Sequence, residues 1–188
     1  KNVTFTYQSA SHSGGVREVN LTIPDGQVVV LCGESGCGKT TLTRLINSLI
    51  PHYFPGELTG SVEVDGKNVS EQPLWETAGQ VGSVFQNPRS QFFNVDTTSE
   101  LSFGCENLGM PREEIFRRLE KTAAALGLEP LLGRSIFELS GGEKQKIACG
   151  GAFMMEPGVF VLDEPSSNLD ADAILDLREL VAYLKSLG

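Results

Sequence analysis

Gln27-Val28-Val29-Val30-Leu31-Cys32-Gly33-Glu34-Ser35-Gly36-Cys37-Gly38-Lys39-Thr40 is the stretch whose reading decides the fold. Gln27 to Cys32 is a mostly β-branched apolar run, the composition of a strand buried on both faces. Gly33 to Thr40 then fits GxxxxGK[ST], and a helical pattern runs from Lys39 to about Leu49, stopped by Pro51. Strand, glycine loop and helix in that order make a cradle for a phosphate chain. The glycines let successive N–H groups turn inward, and the helix N-terminus adds partial positive charge. Lys39 is expected at the β- and γ-phosphates and the Thr40 hydroxyl on Mg2+. A glycine-rich turn carrying a surface lysine is the plain alternative, and the flanking strand and helix speak against it.

Downstream, Val159-Phe160-Val161-Leu162 is a second fully apolar strand, ending in Asp163-Glu164. A carboxylate at the tip of such a strand faces the ligand edge of the sheet. Asp163 is therefore expected on the metal. Glu164, pointing another way, is placed to polarise the attacking water as general base. An ordinary acidic turn before Pro165 is the competing reading.

The rest of the chain supplies the frame. Val3 to Tyr7, Val19 to Ile23 and Ser61 to Gly66 alternate like half-buried antiparallel strands, the first two joined by a polar turn over Ser9 to Gly15. Val81 to Phe85 is a short strand leading into Gln86-Asn87-Pro88-Arg89. Thr97 with Glu100 has capping-box spacing before one helix. Pro111 opens another over Arg112 to Leu126, which Gly127 can end in a left-handed cap. Further helices are expected from about Gly142 to Met155 and from Ala171 to Leu187, the last with Ile174, Leu177, Leu180, Val181 and Leu184 on one face. The pattern predicts an α/β fold: a mostly parallel core sheet, an antiparallel outer part, and a helical subdomain over roughly residues 95–155 inserted in the core.

Composition narrows the partners. A length of 188 residues suits one domain, and 40% hydrophobic content suffices for a real core. The net charge of -9 argues against a non-specific grip on nucleic acid. No apolar run approaches the ~20 residues of a membrane span. Lys1 to Tyr7 reads as a strand, not as a charged leader. Cys32, Cys37, Cys105 and Cys149 lack CxxC spacing, which fits reduced thiols in a reducing cytosol, while His12 and His52 read as solvated loop residues.

Leu139-Ser140-Gly141-Gly142-Glu143 begins a helix with a serine and two glycines, a second anion-binding end separate from the first. One nucleotide rarely needs two cradles on one chain. Two chains placed head to tail do, each offering this helix end to the γ-phosphate held by the other.

Here the sequence resembles the ABC ATPase family. Leu139 to Glu143 is similar to its signature motif, Gly33 to Thr41 to its Walker A, and Val159 to Glu164 to its Walker B with the catalytic glutamate. Ser166-Ser167-Asn168-Leu169-Asp170 resembles the D-loop, Gln86 the Q-loop glutamine, and Tyr7 the A-loop aromatic that stacks on adenine. The resemblance implies a P-loop fold of ABC type that binds ATP and Mg2+. Tyr7, Gly33, Glu34, Ser35, Gly36, Cys37, Gly38, Lys39, Thr40 and Thr41 would hold the nucleotide, joined by Ser140, Gly141 and Gly142 of a second ABC domain. Thr40, Gln86 and Asp163 would hold the metal; Glu164 and Gln86 would serve catalysis. Lys146 stands where the family more often has arginine, keeping the charge but losing the planar fork.

Phe85-Gln86-Asn87-Pro88-Arg89-Ser90-Gln91-Phe92-Phe93 resembles the energy-coupling-factor (ECF) group, as do Leu49 to Tyr53 and Pro55 to Leu58. That likeness implies an ATPase for vitamin or metal-ion import, cytoplasmic and peripheral on the cell membrane, coupled through the Gln86–Phe93 segment and Gln91 to a transmembrane subunit. A soluble ABC factor without a membrane partner, such as a translation-associated one, is the alternative. A non-hydrolysing module is disfavoured by Glu164. Both ends read as cut and the switch histidine of the family is expected beyond Gly188, so residues 1–188 are expected to be a truncated domain that binds ATP better than it hydrolyses it.

Overall fold

The structure, a computed structural model, describes residues 1–8, 14–167 and 169–186. Within them the chain divides into two compact units, Lys1–Val81 and Gly82–Ser186.

The first unit is built on a three-stranded antiparallel sheet in the order β2-β1-β3, with β1 at Val3–Tyr7, β2 at Gly15–Val19 and β3 at Gly56–Thr59. Alternation along β1 sends Val3 and Phe5 inward, where they meet Val16, Leu45 and Ile50. Leu45 comes from α1 (Lys39–Ile46). That helix ends short of Leu49 because Ser48 takes a left-handed φ of 62°, and a separate four-residue turn, α2 (Leu49–His52), follows. β4 (Glu63–Val64) and β5 (Lys67–Asn68) form a small hairpin around Asp65-Gly66, whose φ values of 49° and 75° suit a tight two-residue turn. α3 (Leu74–Gln80) closes the unit.

Three expected strands differ, the one over Ser61 to Gly66 being cut to Glu63–Val64. The one placed over Val19 to Ile23 lies earlier, at β2, because Asn20 ends the ladder. Its side chain accepts from Asn2 N–H at 2.8 Å and donates to the Asn2 side chain at 2.7 Å, and Leu21 and Ile23 beyond it are exposed. The run Gln27 to Cys32 carries no strand: among the described residues nothing pairs with it, and Val30 is 76% exposed. A buried strand needs ladder partners and covered faces, and its apolar composition supplies neither by itself.

The second unit pairs β6 (Val81–Val84) with β7 (Val159–Leu162) and packs four helices: α4 (Thr97–Asn107), α5 (Arg112–Leu126), α6 (Gly141–Met154) and α7 (Ala171–Ser186). α5 has the expected bounds and ends on Gly127 at φ 61°, a conformation cheap only for glycine. α6 is buried along most of its length. Ile147 and Met154 join Leu101, Cys105, Leu119 and Leu128 in one core. Gly150 packs closely there: a Cβ would lie 2.7 Å from both Leu101 Cδ2 and Leu128 Cδ1, so both leucines would have to shift. The cap of α4 is not the expected Thr97. Asp96 takes that place, its carboxylate accepting from Ser99 N–H at 2.9 Å, while Thr97 donates its hydroxyl to the Leu131 carbonyl at 2.6 Å. Asp96 wins because Thr97 is wholly buried and already partnered.

Leu101, on α4, is fully buried against α6. Leu101→Ala should lower the unfolding free energy by about 2–5 kcal/mol, read from the shift of a urea transition at unchanged slope.

Candidate functional site

In the first unit the loop Gly33 to Gly38 ends on Gly38, the N-cap of α1, at φ 100°, with no side chain capping the helix. A Cβ at Gly38 would also sit 2.8 Å from Val16 Cγ1, so this corner is closed to other residues on two counts. Cys37 N–H bonds the Glu34 carbonyl at 3.3 Å, turning the chain back on itself, and Gly36 is again left-handed at 81°. The Lys39 ammonium donates to the Gly33 and Glu34 carbonyls, both at 2.9 Å. Glu34, Ser35 and Cys37 are exposed; Thr40 is half-buried and Thr41 buried.

Thr41 meets Tyr7. The two hydroxyls lie 3.2 Å apart, and Arg44 donates to the Tyr7 hydroxyl at 3.2 Å. The Tyr7 ring stands edge-on to Phe5 and Phe54, with the Arg44 guanidinium 3.9 Å from the Phe54 ring centre. Tyr7 is thus half-buried and tied to the helix that the phosphate loop opens. Arg44 was missed in the sequence, although its i, i+3 spacing from Thr41 puts both on one helix face.

In the second unit the candidate acid–base residues meet. The Asp163 N–H bonds the Val84 carbonyl at 2.9 Å, holding the ends of β6 and β7 together. Just beyond, the Gln86 amide donates to a Glu164 carboxylate oxygen at 2.7 Å across 78 residues of chain. The Ser167 hydroxyl reaches the Gln86 carbonyl at 3.4 Å. Asn168 and His12 lie outside the described residues, and His52 is exposed.

In the segment after Gln86, the Gln91 amide accepts from Phe85 N–H at 3.2 Å and donates to the Ser83 carbonyl at 3.1 Å, since the strand end offers both groups locally. Phe92 packs in the core, whereas Phe93 is 76% exposed and stacks on Phe103 at 4.9 Å.

At the α6 N-terminus, Ser140 and Glu143 form a full capping box: Glu143 N–H donates to the Ser140 hydroxyl at 3.2 Å, and Ser140 N–H to the Glu143 carboxylate at 2.7 Å. The backbone N–H of Ser140, with the Arg134 guanidinium at 2.9 Å beside it, holds the Glu143 carboxyl below the usual carboxylate range. Arg134 had no sequence signal, being a loop residue apart from the motif. Ser140 and Gly141 are exposed. Gly142 is a contact glycine, for a Cβ there would lie 2.8 Å from that of Ala173. Lys146 forms an ion pair with Asp176 at 2.8 Å.

A profile of the ABC transporter family matches residues 16–167. The chain belongs to that family. A "Putative ABC transporter ATP-binding protein" of Treponema denticola is 52% identical over all 188 residues, of which the ABC chain described here spans 38% of that protein's length. Among solved structures, cbiO1 from Clostridium perfringens, part of the ABC transporter complex cbiONQ, aligns with a TM-score of 0.78 at 27% identity, over 98% of this chain and 74% of its own. A dimeric ATP-binding cassette in a post-hydrolysis state with ADP and phosphate aligns at 0.80 and 24% identity over 98% and 81%, a likeness of fold. The fold class is therefore the α/β P-loop fold of ABC ATPases.

Glu143→Ala should cost about 1 kcal/mol of stability at neutral pH through loss of the box. Because the folded-state pKa is depressed, that contribution is present above the unfolded value and lost as pH falls through the folded one. Urea titrations of variant and wild type should converge in acid.

Proposed function

We propose that this chain binds ATP with Mg2+ and hydrolyses it as one half of a head-to-tail pair. Closure of the pair would drive import through a membrane subunit of the ECF kind, with a vitamin or metal ion as cargo. The observation that carries the reading is the 2.7 Å contact between Gln86 and Glu164. It orients one carboxylate oxygen and leaves the other for the proton of an attacking water.

In this reading Gly33 to Thr41 wrap the phosphates, Lys39 exchanges its carbonyl partners for phosphate oxygens, and adenine stacks on Tyr7, held by Thr41 and Arg44. The Thr40 hydroxyl, the Asp163 carboxylate and the Gln86 amide oxygen are hard donors of the kind Mg2+ takes, and Gln86 spends its amide N–H on Glu164, which leaves its carbonyl for the ion. Mg2+ would supply charge that offsets that of the β- and γ-phosphates. Ser140, Gly141 and Gly142 serve the γ-phosphate of the partner domain. The helices from α4 to α6 form the helical subdomain.

Exposed apolar groups support a coupling surface. Val95 is 64% and Phe137 79% exposed, on segments joined by Ile136 N–H to the Val95 carbonyl at 2.8 Å, and Phe93 is close to Val95 in sequence. No helix among the described residues is long and apolar enough to cross a membrane, so a peripheral, cytoplasmic position on it would be held through this surface. The likeness to cbiO1, part of a transporter complex, supports the ECF assignment. The charge of -9 supports the absence of a nucleic-acid partner.

Glu164→Gln in the whole protein should retain ATP binding and lose about 100-fold or more in turnover. Unchanged turnover removes the base. Phe137→Asp should spare ATP binding and weaken co-purification with an integral membrane protein from detergent extracts. Recovery of no membrane protein by the wild type points to the soluble factor instead.

A further inference from the structure

Two of the four cysteines flank the phosphate loop, and these two are exposed whereas Cys105 and Cys149 are buried. Burial pushes the Cys149 thiol up to about 12 and the Cys105 thiol also upward, so neither is a ready nucleophile. Cys32 and Cys37 enclose only Gly33, Glu34, Ser35 and Gly36. The turn closed by Cys37 N–H on the Glu34 carbonyl folds Cys37 back along the loop. Its sulfur comes to rest against Gly33, the residue bonded to Cys32: a Cβ built on Gly33 would lie 2.6 Å from Cys37 Sγ. Glycine at that position puts no side chain of its own beside the Cys37 sulfur. The same sulfur lies 3.9 Å from the Lys39 ammonium, so a new bond at Cys37 acts directly on the side chain assigned to the phosphates.

We propose that Cys32 and Cys37 are a thiol pair whose oxidation to a disulfide shuts the phosphate loop against ATP. A peroxide is the oxidant. Cys37 thiolate attacks one peroxide oxygen, giving a sulfenic acid and releasing hydroxide as the O–O bond breaks. The Cys32 thiolate then attacks that sulfur, the S–S bond forms and a second hydroxide leaves, taken up as water with the two thiol protons. The pair of sulfurs loses two electrons and the peroxide gains them. A disulfide demands Cα atoms within about 7 Å, so it ties the two ends of the loop together and draws the Cys37 peptide out of the cradle. Thiol reductants reopen it. The functional half of this inference rests on the nucleotide-binding reading of Gly33 to Thr41, and the chemical half does not.

The test uses the whole protein, reduced and then treated with hydrogen peroxide. Trypsin releases both cysteines in one peptide, Glu18 to Lys39. That peptide should lose two hydrogens in mass and resist alkylation until reduced with dithiothreitol. ATP affinity should fall about tenfold or more on oxidation and return on reduction. Cys32→Ser, with Cys32→Ala as a second variant, should bind ATP like the reduced wild type and lose the reversible effect. A peptide that keeps its mass, or gains oxygen on Cys37 alone, overturns the pair, as does undiminished peroxide sensitivity in both Cys32 variants. Disulfide formation with unchanged ATP affinity overturns the control of binding. If Lys39→Ala leaves ATP affinity intact, the nucleotide reading of the loop fails, an outcome separate from peptide mapping.

Discussion

The hydrogen bond from Asp163 N–H to the Val84 carbonyl decides where the polar groups of the second unit can meet. β6 and β7 end at Val84 and Leu162, and this bond carries their pairing one residue further. Glu164 then turns away at φ 46°, a left-handed conformation that costs a non-glycine residue about 1 kcal/mol and breaks the strand. The turn drops its carboxylate onto the Gln86 amide. Ligand chemistry in open α/β sheets gathers beyond the carboxyl ends of strands, and both Gln86 and Glu164 follow the last residues of theirs. Loss of pairing between β6 and β7 would separate them before any change in their own side chains.

The two helix ends singled out as anion sites are prepared differently. α1 starts from Gly38 with no side-chain cap. α6 starts from Ser140 inside a capping box, with Glu143 engaged by both Ser140 N–H and Arg134. A carboxylate at that end already answers part of the helix dipole. Under the proposed function, the end without a side-chain cap would serve the chain's own nucleotide and the capped end the later contact with a partner's γ-phosphate. This fits the proposed order of events, in which one chain first holds the nucleotide and the pair closes afterwards.

Helix limits were readable where a single residue sets them. Gly127 ends α5 through its positive φ, and Ser140 with Glu143 starts α6 by local bonds, so neither boundary needs distant contacts. Strands divided: Val3–Tyr7 and Val159–Leu162 lie as expected, but others failed because a strand exists only through its partner. Val19 to Ile23 alternates well, yet the Asn2–Asn20 side-chain bonds close the ladder at Val19, and nothing in the local pattern announces them. Gln27 to Cys32 has strand composition without a partner among the described residues. The motif residues of the site could be named, since each belongs to a contiguous stretch. Arg44 and Arg134, which support Tyr7 and Glu143, could not, because their roles come from packing.

Gln91, Phe92 and Phe93 show how adjacent residues divide the work of a coupling segment under the proposed function. Gln91 clamps the end of β6 through Phe85 and Ser83, Phe92 fills the core, and Phe93 faces solvent. Downstream, the buried Glu100 carboxylate accepts from Phe93 N–H at 3.0 Å and Asn94 N–H at 2.7 Å, fixing the segment at its other end. Under the proposed function, a force applied to Phe93 would meet both anchors. It would pass through Gln91 to the strand end that carries Gln86, and so to the amide that bonds Glu164. Gln91 would then act not as the contact with a partner but as the rigid link behind it, with the apolar exposure at Phe93 as the point where the partner presses.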